Sequence, residues 1–165
     1  MISKLFFIKT PIREHFCFNY ITLFPKCQYY MTPKQFNKRF FKTKMDKKLN
    51  ELKSYLDYEF SSGCETGQDY KIFERKYINY LKLVCNVCGW EFVKANKNHY
   101  CFTAFIKNNQ NNYVYVSISD VRWNKDWYYH VLIRKAEHSK DYRGGSNHYA
   151  ALPTLQVGID CLFQR

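Results

Sequence analysis

The chain has 165 residues, of which 46% are hydrophobic and 24% are charged, and its formal net charge is +12. A chain of this length and apolar content usually folds as one domain around a buried core, which excludes a wholly disordered protein. No stretch approaches the roughly 18–20 apolar residues that a membrane-spanning helix requires, so we expect no membrane contact.

The positive charge is concentrated at the start of the sequence. Residues 1–44 contain nine Lys or Arg and one acidic residue, a net charge of +8, whereas residues 45–165 contain 17 and 13, a net charge of +4. Clear hydrophobic periodicity also begins only after Met45. We therefore interpret residues 1–44 as a basic, poorly ordered N-terminal extension, in which Thr32 and Pro33 favour the start of a short helix. Residues 45–165 are predicted to form a single α+β domain.

The cysteines and the N-terminus bear on where the protein resides. The seven cysteines are an odd number, and the first 24 residues lack the apolar core and small-residue cleavage site of a secretory signal. Both features favour a cytoplasmic protein whose thiols are reduced.

Two amphipathic helices are predicted first in the chain. Residues 46–60 carry one apolar stripe at helical spacing: Leu49, Leu52, Leu56 and Phe60. Residues 68–88 carry a second: Phe73, Tyr77, Leu81, Val84 and Cys88. Gly89 is well placed to end this second helix, since glycine readily adopts the left-handed conformation at a helix C-terminus.

After Gly89 the period of the apolar residues changes from 3.6 to 2, which predicts strands. These are expected at residues 90–95, 99–107, 113–119 and 127–134. A final helix is predicted from near Pro153, with Leu155, Ile159 and Leu162 facing inward and Gly158 weakening it. The fold class is therefore α+β, with two N-terminal helices, an antiparallel three- to four-stranded meander and a short C-terminal helix.

Cys85 and Cys88 form a C-x-x-C-G sequence of the kind that ligates zinc. A tetrahedral site needs four ligands, and His99 and Cys101 are the nearby residues that could complete it. The alternative is that both cysteines belong to the buried face of the second helix, where a free thiol packs as a small apolar group. We favour core packing, and therefore expect no metal and no other cofactor.

No arrangement of residues typical of an active site is present. Serine does not occur in a G-x-S-x-G setting, and the five histidines are spread over 134 positions. Glu91 and Lys94 would face opposite sides of a strand, which does not suit a nuclease site. We therefore predict no catalytic residues and a non-catalytic protein.

Two neighbouring segments carry the candidate binding residues. In residues 135–150 the Gly144-Gly145 pair can adopt positive φ, so that successive N–H groups converge on an anion. The candidates here are Lys140, Tyr142, Arg143, Gly144, Gly145, Asn147 and His148. In the preceding segment aromatic residues alternate with cations, as on surfaces that stack unpaired bases. The candidates here are Arg122, Trp123, Lys125, Trp127 and Arg134. The alternatives are a plain surface turn and an aromatic core.

These features lead to two hypotheses about function. The first is a small non-catalytic accessory protein that binds nucleic acid, as RNA or single strands, or a host ribonucleoprotein. The second is a counter-defence inhibitor of the anti-CRISPR kind, carried by a phage or mobile element, that acts on a host nuclease by protein–protein contact. The net positive charge suggests the first hypothesis, but two thirds of it lies in residues 1–44, so a nucleic-acid interface in the folded part must rest on local patches.

Overall fold

The computed structural model describes residues 16–17, 30–31, 35–61, 67–98 and 100–164. Side chains are described in residues 42–61, 67–96 and 100–164. Contacts within the chain define two units, residues 1–40 and 41–165. In the first unit the two-residue strands β1 (Phe16–Cys17) and β2 (Tyr30–Met31) pair antiparallel. Most of the predicted extension, including Thr32 and Pro33, lies outside the described residues, so its role stays a prediction.

The first helix starts earlier and ends earlier than its apolar stripe predicts. Helix α1 spans Gln35–Lys53, and its Leu49 and Leu52 are buried. The extension of this helix to Phe60 was wrong. After Lys53 the helical hydrogen bonds give way to a tighter turn, in which the N–H of Tyr55 donates to the carbonyl of Leu52, three residues earlier, at 2.9 Å. Phe60 is buried nonetheless, because the turn lets its ring stack on that of Tyr55 with centroids 5.9 Å apart.

The second helix has the predicted bounds. Helix α2 spans Gln68–Cys88, and its stripe faces the core. Its fully buried members are Tyr70, Phe73, Tyr77, Tyr80, Leu81 and Val84. Gly89 ends the helix with φ +72, and the N–H of Trp90 then donates to the carbonyl of Cys85 at 2.8 Å. A left-handed glycine thus ends the helix as predicted.

The sheet of the second unit has five strands rather than the three or four predicted. They are β3 (Glu91–Asn98), β4 (Cys101–Lys107), β5 (Tyr113–Ile118), β6 (Val131–Ala136) and β7 (His148–Ala150). Each pairs antiparallel with the next, in the order β3-β4-β5-β6-β7. Strand β7 has only three residues, too few to produce a pattern, and it is defined by pairing with β6.

One face of the sheet forms the core, and we call it the inner face. The ring of Tyr77 in α2 lies 4.8 Å from that of Phe102 in β4. Helix α3 (Leu155–Gln164) covers the same face near β6 and β7. The predicted alternation along β4 and β5 is confirmed. The residues that face inward are all buried: Phe102, Ala104, Ile106, Val114, Val116 and Ile118. Phe105, on the opposite face of β4, is buried as well.

Gly158 has a structural role that the sequence did not suggest. It is buried in α3, and a Cβ atom at this position would lie 2.7 Å from Cδ1 of Ile133 and 3.1 Å from Cβ of Ala150. Glycine therefore brings α3 into close contact with the sheet, rather than only weakening the helix. Among the described helices, none is both long enough and apolar enough to cross a membrane.

Candidate functional site

The sheet face opposite the core carries a row of cations and aromatic rings. Lys94, Phe105, Tyr115 and Arg134 lie directly opposite one another on β3, β4, β5 and β6. Because side chains alternate along a strand, all four project away from the core. The Phe105 and Tyr115 rings are 5.3 Å apart. The Nζ of Lys94 lies 5.4 Å from the Phe105 ring centroid. We call this the outer face.

Tyr142 places the loop of residues 137–147 against the outer face. Its ring lies 5.3 Å from that of Phe105 and 6.1 Å from that of Tyr115. Its hydroxyl accepts a hydrogen bond from the side-chain amide of Asn96 on β3. Phe105 is fully buried, whereas Tyr142 keeps 43% of its surface exposed. The loop thus extends the aromatic surface of the sheet toward solvent.

Arg134 is the most unusual member of the row. It is only 8% exposed, and its guanidinium carbon lies 4.3 Å from the ring centroid of Tyr115. Among the described residues, neither its Nε nor its Nη2 has a hydrogen-bond partner. Burying guanidinium donors without hydrogen bonds is costly, and the contact with an aromatic ring offsets only part of that cost.

The Gly144-Gly145 turn does hold an anion, but the anion belongs to the chain itself. The carboxylate of Asp141 accepts hydrogen bonds from the N–H groups of Glu137 at 3.0 Å, Arg143 at 3.1 Å and Gly144 at 2.7 Å. These bonds lower the pKa of Asp141 to about 2, and the nearby charge of Arg134 adds a smaller decrease. Of the predicted Gly144-Gly145 pair, the N–H of Gly144 is therefore engaged by a carboxylate, together with those of Arg143 and Glu137.

Gly145 is required by two separate features of the turn. It has φ +79, a conformation that other residues rarely adopt. In addition, a Cβ atom at this position would lie 2.5 Å from the carbonyl oxygen of Lys135. The glycine therefore lets the loop return closely along β6 before β7 begins.

A second set of predicted residues lies on the turn after β5. Arg122 donates to both carboxylate oxygens of Asp120, from Nε at 3.1 Å and from Nη2 at 2.7 Å. Its guanidinium carbon lies 3.9 Å from the ring centroid of Tyr100 and 5.6 Å from that of Trp123. Trp123 is 80% exposed. The contacts of Arg122 therefore hold the turn in place, while the side chain of Trp123 remains exposed to solvent.

The remaining predicted binding residues are dispersed. Trp127 is fully buried in a 3₁₀ helix (Lys125–Tyr128) where a strand was expected, so it presents no surface to a ligand. Lys125 is exposed and its Nζ donates to the carbonyl of Tyr58 at 2.9 Å. Lys140 and Asn147 are exposed on the loop, and His148 is half-buried at the start of β7.

The cysteines do not form a metal site within the described part of the chain. Cys85 and Cys101 are free thiols, as is Cys88. No group of three or more His, Cys, Asp or Glu side chains is placed to hold a metal ion among the residues that the structure describes. His99 lies outside them. Burial raises the pKa of the Cys85 thiol to about 12, as expected for a core residue.

Cys161 is disulfide-bonded, contrary to the expectation that every thiol is reduced.

Sequence patterns alone missed several residues that complete the outer face. Lys94, Phe105 and Tyr115 were assigned to strands, but nothing local indicated that they would lie side by side. Tyr149 on β7, which is 54% exposed and opposite Leu132, was not predicted either. The available signal was the alternation itself, since every second residue of a core-facing strand must point outward.

Compared with known proteins, the chain has no significant match to a family model, a curated protein or a solved structure.

Proposed function

We propose that this protein is a non-catalytic nucleic-acid-binding protein that holds a single strand, RNA or DNA, against the outer face of its sheet. The observation that carries the proposal is the pair of exposed tyrosines, Tyr142 and Tyr149, on a face that also carries cations. The buried Phe105 and Arg134 belong to the layer of side chains that supports this surface. Proteins that bind single strands combine rings that stack on bases with cations that contact the backbone.

Two tyrosines on this face are exposed enough to stack on bases. Tyr142 is 43% exposed and Tyr149 is 54% exposed. Tyr142 lies over β4 and β5, whereas Tyr149 is on β7, so the two are two to three strands apart, roughly 10–14 Å at the usual strand spacing. That separation suits an extended single strand better than a duplex, whose bases are paired and hidden within the stack.

The charge of this region also favours a polyanion. Cations on the outer face and the adjoining loop are Lys94, Lys107, Arg134, Lys140 and Arg143. Of the acidic residues nearby, Glu91 is paired with Lys107 at 2.9 Å, Asp141 is held by backbone N–H groups, and Glu137 is exposed on the loop. The remaining positive charge would gain affinity from the release of counterions.

Binding of fluorescent oligonucleotides across a salt series tests this proposal. We expect single-stranded RNA or DNA to bind more tightly than a duplex, with an affinity that falls as salt rises. Tyr149→Ala should weaken binding by about 1–3 kcal/mol, the usual contribution of one stacked base. Tyr58→Ala is the matched control. Tyr58 is also exposed, at 40%, but it packs beside Phe60 and Tyr55 and is not one of the residues of the outer face.

Two results would contradict the proposal. One is the absence of binding to any oligonucleotide at low salt. The other is equal affinity for single strands and duplexes that Tyr149→Ala leaves unchanged, since binding would then depend on charge alone.

A second candidate function is favoured by Trp123. Trp123 is exposed on a turn that the Asp120–Arg122 contacts hold in place. Tryptophan is among the residue types that most often dominate protein–protein interfaces. Such a contact would suit an inhibitor of a host nuclease. Capture of a host protein that survives nuclease treatment of the lysate, and that is lost in Trp123→Ala, would support this function over the first. Capture that nuclease abolishes would point back to nucleic acid.

A further inference from the structure

A second row of side chains crosses all five strands of the outer face. The register joins its members in order across the sheet: Asn96, Thr103, Ser117, Leu132 and Tyr149. The first four each lie two positions along their strand from a member of the row of cations and rings, so they project from the same face. Unlike the buried Phe105 of the first row, none of the five is buried. The second row therefore forms part of the accessible surface of the outer face.

The second row connects the two exposed tyrosines of this face. At one end the side-chain amide of Asn96 donates to the hydroxyl of Tyr142. The other end is Tyr149 itself. The row spans roughly 19 Å from β3 to β7 at the usual strand spacing, and its middle members are Thr103, Ser117 and Leu132. A single strand that stacks on both tyrosines therefore passes over these three residues.

Thr103 and Ser117 bring two hydroxyl groups to the middle of this path. The two residues lie directly opposite each other on β4 and β5. The Thr103 oxygen accepts a long hydrogen bond from the side-chain amide of Asn96 at 3.5 Å, and its O–H donates to no described residue. The Ser117 hydroxyl likewise has no hydrogen-bond partner among the described residues. Since a hydroxyl can both donate and accept, the pair can hydrogen-bond to a ligand group that does the same.

We propose that Thr103 and Ser117 contact the ribose 2′-hydroxyl of a bound strand, so that the outer face selects RNA over DNA. The 2′-hydroxyl distinguishes the two nucleic acids, and it both donates and accepts hydrogen bonds. No member of the second row is charged, so this part of the face favours contacts with sugars rather than with phosphates. Leu132 lies between Ser117 and Tyr149, so an apolar surface separates the hydroxyls from the ring on which a base stacks.

This inference rests on the proposed function, since it names the nucleic acid that the outer face binds. Fluorescence anisotropy with an RNA oligonucleotide and with a DNA oligonucleotide of the same sequence measures the selection. Uracil replaces thymine in the DNA, so that the two probes differ only in their 2′-hydroxyls. We expect the RNA to bind about fivefold more tightly, the effect of one net hydrogen bond.

Two substitutions that remove the hydroxyls but little volume test the assignment. Thr103→Val combined with Ser117→Ala should lower the affinity for RNA to that for DNA and leave the affinity for DNA unchanged. Thr154→Val and Ser54→Ala make the same changes at exposed positions outside the sheet, where each hydroxyl donates to a backbone carbonyl, and should preserve the preference. Thermal unfolding reports whether the double variant is folded. Should it not fold, Ser117→Ala alone should still reduce the preference for RNA.

The outcomes separate this inference from the proposed function. Equal affinity for RNA and DNA, in binding that Tyr149→Ala weakens, would keep the nucleic-acid function and overturn the selection for RNA. A preference that the double variant retains would overturn the role of the two hydroxyls, as would an equal loss of affinity for RNA and DNA in that variant. The absence of binding to both probes at low salt would overturn the proposed function, and this inference with it.

Discussion

Oδ1 of Asp141 accepts a hydrogen bond from the backbone N–H of Gly144 at 2.7 Å, so the glycine turn is built around a carboxylate that lies three residues earlier in the chain. The same oxygen accepts the N–H of Arg143, and Oδ2 accepts that of Glu137. One side chain therefore fixes the backbone of the loop beside the outer face.

Asp141 should make the stability of the protein sensitive to acid. Backbone hydrogen bonds lower its pKa from 3.8 to about 2 in the folded state. The stabilisation is therefore complete above the unfolded pKa, 3.8, and is lost as the pH falls toward about 2. Free energies of unfolding from urea titrations should decrease over this interval in the parent, and decrease less in Asp141→Asn. Equal acid sensitivity of the two proteins would show that these hydrogen bonds do not stabilise the charged form.

Gly89 and Gly145 both have positive φ. Alanine variants at the two positions can therefore distinguish the cost of backbone strain from the cost of a steric clash. Gly89 has φ +72, and a Cβ atom there would meet no neighbouring atom within 4 Å, whereas at Gly145 the Cβ would lie 2.5 Å from the Lys135 carbonyl oxygen. Gly89→Ala should therefore cost about 1–2 kcal/mol of stability, the conformational cost alone. Gly145→Ala should cost clearly more, because the loop must also move away from β6. Similar unfolding free energies for the two variants would contradict the close approach at Gly145.

The contact between α3 and the sheet can be tested through Gly158. Alanine there would gain about 1 kcal/mol of helix propensity, but its Cβ would lie 2.7 Å from Cδ1 of Ile133. We expect Gly158→Ala to be destabilising in the parent. Ile133→Val removes Cδ1, so in that background Gly158→Ala should destabilise the protein less. The double variant should therefore lose less stability than the sum of the losses in the two single variants. Strictly additive effects would show that the helix shifts instead.

The cysteine pair should behave as part of the core. Cys85 is only 2% exposed, and burial raises the pKa of its thiol to about 12. In the native protein it should react with iodoacetamide far more slowly than the half-exposed Cys101, as mass spectrometry of the labelled peptides would measure. Elemental analysis should find no stoichiometric zinc. About one zinc per chain would instead support the ligand set of Cys85, Cys88, His99 and Cys101.

Much of the fold follows from local patterns. The spacing of Phe73, Tyr77 and Leu81 predicted α2 with its bounds, and Gly89 predicted its end. The alternation in β4 and β5 predicted which residues face the core. These features are local because a helix or strand repeats its own geometry, so one buried face imposes a fixed period on the sequence.

The tertiary structure decided what depends on pairing and packing between distant segments. Strand β7 exists because residues 148–150 pair with β6, and Trp127 is buried because its ring packs 5.0 Å from Phe73, 54 positions earlier. The outer face forms because the register of four strands brings Lys94, Phe105, Tyr115 and Arg134 into one row. The sequence by itself indicated that the glycine turn could bring N–H groups together. Only the folded loop determined that Asp141 accepts the N–H groups of Arg143 and Gly144, since no local period records which side chain reaches a turn.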